Sequence, residues 1–123
     1  MIKQRFYIPA IKLIGKSEKW GRTKKGFPFV YTKYKNFMKE MAVHFATGFP
    51  YGGKVDVEIW MSVSTRREHH NVLEPIFDAM QASGIIKNDK LIEELILHRP
   101  KRHKMKELDE VVVVIRDAET DLV

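Results

Sequence analysis

Cysteine is absent from the 123 residues. This excludes disulfides, thiolate-held metal and a cysteine nucleophile, leaves any site to oxygen and nitrogen ligands, and suits a reducing cytoplasm. Long apolar runs are also missing. From Met-Ile-Lys-Gln-Arg onward, charge interrupts each run well short of a signal-peptide core or the roughly 20 residues of a membrane-spanning helix. The expectation is a soluble, cytoplasmic protein with no membrane partner. No internal repeat, heptad or low-complexity tract occurs. Nor does the chain contain a Walker-type glycine-rich loop, a Gly-x-Ser-x-Gly elbow, a His-Glu-x-x-His pair or a dinucleotide fingerprint.

Acids are the minority charge, 16 against 22 Lys and Arg, for a net charge of +6. That balance suits nucleic acid, an anionic membrane surface or an acidic protein partner. Distribution is more informative than the total. Seven Lys or Arg and one acid lie between Lys16 and Lys35, and five Lys or Arg, two His and no acid lie between His98 and Lys106. Read alone, each run is a solvated loop; together they bracket an acidic cluster between residues 68 and 89.

The length fits a single domain, residues 1–123, able to bury a core without staples. Ile2 to Ile8 is apolar and β-prone and ends at Pro9, so a first strand is expected there. Residues 15–31 show no period of 2 or 3.6 and are read as a long basic and aromatic loop. Tyr34, Phe37, Met38, Met41, Ala42 and Phe45 then form one face of an amphipathic helix, with Thr32 as its cap. After Phe49-Pro50-Tyr51-Gly52-Gly53, Lys54 to Ser64 alternates, with Val55, Val57, Ile59, Met61 and Val63 facing a core. A second helix is expected from about Asn71 to Ser83, with Leu73, Ile76, Phe77 and Met80 inward and Gly84 as its left-handed stop. Leu91 to His98 and Glu110 to Arg116 read as two more strands, joined by a basic connection. The fold class expected is α/β (α+β): a two-layer β-α-β-α-β-β domain with a four-stranded mixed sheet and two helices.

Within the acidic cluster, Glu68 and His70 are two apart. In an extended segment both side chains point the same way, as two ligands of one ion should. Asn71 and Glu74 also fit a capping box. Pro75 implies either an irregular first turn or a helix beginning at Pro75. Taken alone, Asp78 reads as a solvated helix carboxylate, and Asp89, in Lys87-Asn88-Asp89-Lys90, as a turn residue.

Arg67-Glu68-His69-His70-Asn71-Val72-Leu73-Glu74-Pro75-Ile76-Phe77-Asp78-Ala79-Met80, followed by Gly84 and Asn88-Asp89, resembles the signature of the RusA family of Holliday-junction resolvases. That signature runs Asp-x-Asp-Asn-x-x-Lys, often Pro, then Asp-Ala-Leu, a Gly and an Asp-Asp pair. The order of elements resembles the family over nearly the whole chain. Asn71, Asp78 and Asp89 match; Glu68 stands at the first Asp, His70 at the second, Glu74 at the Lys, and Asn88 at one Asp of the pair.

The resemblance implies a structure-selective endonuclease that cuts four-way junction DNA as a homodimer, in a bacterial or phage-infected cell. Two symmetric cuts need two sites related by the same two-fold axis. It implies magnesium or manganese held by Glu68, His70 and Asp89, with Glu74 completing the catalytic set. An imidazole ligand tilts the preference toward manganese. Lys16, Lys19, Arg22, Lys24, Lys25, Arg66, Arg67, Asn71 and Lys87 are the expected contacts to DNA. Two other readings stay open: a RusA-like protein that binds branched DNA without cutting, and a metal hydrolase of small substrates.

Overall fold

The structure, a computed structural model, describes residues 2–11, 20–64, 73–99, 101–103 and 109–118. Its elements, in chain order, are β1 (Lys3–Ile11), β2 (Trp20–Arg22), β3 (Pro28–Val30), α1 (Thr32–Phe45), β4 (Val55–Ser64), α2 (Leu73–Ser83), a 3-10 turn (Asp89–Leu91), β5 (Ile92–Leu97), β6 (Lys101–His103) and β7 (Asp109–Asp117). The main sheet runs β1-β7-β4-β5, and the short β6 continues the β5 edge of β4. β7 is antiparallel to both β1 and β4, whereas β5 and β6 are parallel to β4. The expected mixed α+β sheet with two helices is therefore present.

β7 sits in the middle because it can be buried on both sides. Val111, Val113 and Ile115 face the helices, fully buried, and Val114 on the other face is also buried. β4 has the alternation of a strand with one dry face: Val55, Val57, Ile59, Met61 and Val63 are buried, while Asp56, Glu58 and Ser62 are half-buried and Trp60 is exposed. Against the dry face lie Phe37, Met41 and Phe45 of α1 and Ile76, Ala79 and Met80 of α2, in one cluster. Each large apolar side chain so buried contributes about 1.5–3 kcal/mol. Tyr51 closes the lower end of this core; its hydroxyl donates to the Ile115 carbonyl at 2.6 Å.

Four local expectations are revised. α1 begins at Thr32 itself; Tyr31 is the N-cap and makes no side-chain capping bond. The basic stretch contains a hairpin, β2 paired with β3, whose three-residue strands are too short to show a period. Its turn is closed by Thr23 and Phe27 through a 2.9 Å backbone bond, with Gly26 at φ 87. α2 is helical from Leu73, with Pro75 buried in its first turn. A proline costs no intrahelical bond there, because first-turn N–H groups have no acceptor. Finally, β6 forms within the expected basic connection, and Leu91 belongs to the 3-10 turn before β5. Gly84 has φ 80 and ends α2 as expected.

Candidate functional site

α1 and α2 pack side by side on the sheet, and their seam carries the polar contact nearest the acidic motif. Tyr34, in the first turn of α1, is 1% exposed and its hydroxyl donates to Asp78 Oδ2 at 2.7 Å. Asp78 is thus a half-buried acceptor clamped to α1, not the solvated carboxylate its sequence position suggests. Glu74 lies one turn earlier on α2 and is half-buried. Burial, then the bond to Asp78, then the negative fields of Asp78 and Glu74 push the Tyr34 phenol far above its ordinary range. Three groups of the motif region, Tyr34, Asp78 and Glu74, therefore share one electrostatic neighbourhood.

Asp89 stands elsewhere, exposed, as the first residue of the 3-10 turn. The Asn88 side chain caps that turn by accepting from the Lys90 N–H at 2.9 Å. Asn88 thus has a structural task that an Asp could also perform. The turn leads straight into β5, where Ile92 pairs with Val55, the first residue of β4. Ser64, at the opposite end of that ten-residue strand, is about 30 Å away at 3.3 Å per residue.

Glu68, His70, Arg66, Arg67, Asn71, Lys16 and Lys19 lie outside the described residues. Among the described residues, no group of three or more His, Asp or Glu side chains could hold a metal ion. Glu74 and Asp89 do not make a site of that kind with any described neighbours.

The described cations are better placed. Arg22, Lys24 and Lys25 are exposed on the β2–β3 hairpin, as is Lys87 beyond α2. Trp20 and Phe27 on the same hairpin are 57% and 65% exposed. Phe29 and Tyr31 meet edge to face at 5.1 Å over Gly21, where an added Cβ would lie 2.6 Å from the Phe29 ring. The arm is therefore a thin ribbon stiffened by one aromatic pair, with cations and a further aromatic ring at its turn. Its second strand ends at Val30, four residues before Tyr34, so the arm is rooted at the seam that holds Asp78. In sequence these aromatics read only as loop residues; two aromatic residues spaced two apart across from a glycine were the available signal.

A second polar group is not foreshadowed by the sequence pattern. Glu58, Trp60 and His98 lie on the sheet face turned away from the helices, with the His98 ring nitrogen hydrogen-bonded to the Glu58 carboxylate. The Trp60 and His98 rings stack with centroids 4.5 Å apart. The alternation of β4 placed Glu58 and Trp60 together, but only the parallel pairing with β5 brings His98 beside them. No helix in the described residues is long and apolar enough to cross a membrane. No family model matches the chain, and no curated protein matches it.

Proposed function

We propose that this protein is a divalent-metal-dependent endonuclease that resolves four-way DNA junctions as a homodimer. The observation that carries the reading is the rooting of the basic, aromatic β2–β3 arm at the seam where α1 clamps the acidic motif helix. Through Tyr34 and Asp78 the element suited to a polyanion is mechanically joined to the element suited to phosphodiester chemistry.

In this reading Arg22, Lys24 and Lys25 hold phosphates along one DNA arm, and the exposed Phe27 ring offers a stacking surface where bases are unpaired at the branch. Lys87, with Arg66 and Arg67 from the sequence, extends the positive track. Glu68, His70 and Asp89 would hold the magnesium or manganese ion, which when bound would supply an activated water and neutralise charge on the phosphate. Glu74 adds negative charge in place of the family's lysine and sits beside Asp78, where it tunes the motif helix instead of contacting phosphate. Six residues at about 3.5 Å each reach about 21 Å from Ser64, and the side chains and the ion would have to span the rest of the way to the Asp89 turn.

The deciding experiment is scission of a mobile junction with magnesium or manganese at matched ionic strength. Asp89→Asn is expected to abolish cutting while leaving junction binding intact or tighter, because it removes negative charge facing phosphate. His70→Asp is expected to move the metal preference toward magnesium. Tight junction binding by the parent protein with no metal-dependent cutting would refute the enzyme and leave a branched-DNA binding protein.

A further inference from the structure

We infer that the sheet face turned away from the helices is a docking surface for a second copy of this chain, related by a two-fold axis parallel to the strands. The inference supplies a surface for the pairing that the proposed function requires, but it rests on the sheet's geometry alone.

The strand registers align the outward residues into rows. Lys3 is opposite Arg116, Arg116 opposite Asp56, and Asp56 opposite Glu94. Read from β1 to β5, this row is two cations followed by two anions. Within one chain its centre is neutralised, by Arg116 and Asp56 at 3.5 Å. Lys3 and Glu94, at the row's two ends, are exposed. The next row runs Arg5, Val114, Glu58, Ile96. A third runs Tyr7, Val112, Trp60, with His98 stacked on the indole.

Tyr7, Trp60 and Ile96 are 53%, 38% and 40% exposed. Large apolar side chains grouped on one face and rimmed by opposed charges are the anatomy of an interface more than of a solvated sheet. Antiparallel sheets tolerate one wet face, but that face is then ordinarily polar along every strand.

Self-complementarity selects the occupant. A two-fold axis running along the strands between β7 and β4 lays β1 of one copy over β5 of the other, and β7 over β4. The charged row then meets its own reverse, with Lys3 over Glu94 of the second copy and Arg116 over Asp56. In the same superposition Trp60 lies over Val112 of the second copy, and Tyr7 over His98. Sheets packed face to face stand about 10 Å apart, a gap that Lys and Glu side chains together can bridge. An axis across the strands would instead stack β1 on β1, so that Lys3 gains no acid. The footprint of four strands by three rows is about 400 Å² in projection. That is at the low end for specific interfaces, so a weak, concentration-dependent dimer is expected.

The test is sedimentation of the full chain without DNA or metal, which keeps its failure separate from failure of the nuclease reading in the scission assay. The parent protein is expected to show a concentration-dependent monomer–dimer equilibrium. Lys3→Glu and Glu94→Lys, each at an exposed position, are each expected to weaken it about tenfold or more by placing like charges together. The double variant, which exchanges the two charges, is expected to recover most of the affinity. Circular dichroism confirms that each variant is folded. A strict monomer well above micromolar concentration would overturn the inference. So would a dimer indifferent to both single changes, or a folded double variant no better than the singles.

Discussion

Tyr34→Phe removes one oxygen from the seam between the helices and leaves the ring in place. Its hydroxyl donates to Asp78 at 2.7 Å and the residue is 1% exposed, so the change removes a buried bond and the volume of one oxygen. A hydrogen bond to a charged acceptor contributes about 1.5–3 kcal/mol net. A loss of about 2 kcal/mol in unfolding free energy is therefore expected, or about 8 °C in midpoint at roughly 4 °C per kcal/mol. The pH dependence isolates the same bond. Burial first, then Asp78, raises the Tyr34 phenol above its ordinary 10.0 in the folded state. A group raised in this way contributes stability that is fully present below the unfolded value and is lost as pH climbs toward the folded one. Above about pH 10 the parent should lose stability with a slope approaching 1.4 kcal/mol per pH unit from this one proton. The variant lacks that contribution, so the gap between the two proteins should narrow as pH rises. Urea unfolding followed by circular dichroism, from neutral pH to about pH 11, reads both quantities. A neutral-pH difference under about 0.5 kcal/mol, or a gap that stays constant into alkali, would refute the clamp.

Lys24→Gln combined with Lys25→Gln should weaken junction binding and lower the slope of log affinity against log salt by about 0.9 for each phosphate that is no longer neutralised, as measured by fluorescence anisotropy across a salt series. An unchanged slope would return the arm to a solvated surface. Gly84→Ala should cost about 1 kcal/mol in urea unfolding, purely from its φ of 80, because an added Cβ meets nothing within 4 Å. Gly84→Asn should recover part of that loss.

Where a feature depends on neighbours in sequence, it was legible. The stripe of α1, the alternation of β4 and the stop at Gly84 are each set by local spacing or backbone preference, and each stands in the structure, with Met38 packed at the stripe's edge. What was not legible depends on pairings across the chain. Nothing near Lys3 announces Arg116 as its sheet neighbour, and nothing near Asp78 announces a hydroxyl 44 residues earlier. The hairpin and β6 escaped for a different reason: three-residue strands hold no full period, so their hydrogen bonds, not their patterns, define them. Of the candidate site, Asp89 was legible as a turn residue and Gly84 as a helix stop. The grouping of Tyr34, Glu74 and Asp78 was not, because it is created by the way α1 lies on α2.

The place of β7 between β1 and β4 bears on how the protein is made. The ribosome delivers β1 and β4 early, yet the strand that joins them, Asp109–Asp117, emerges after both helices and the other strands described above. Until it does, β1 lacks the strand it pairs with among the described residues, and one edge of β4 stays open with the apolar face that β7 completes. The N–H of Ile2, bonded to the Asp117 side chain at 3.1 Å across 115 residues, marks the length of that wait. Closing so long a loop is slow, and an unpaired strand edge invites other chains to add to it. A stall just before Asp109 would leave on the ribosome both described helices with β4, β5 and β6, but without the strand that joins β1 to β4.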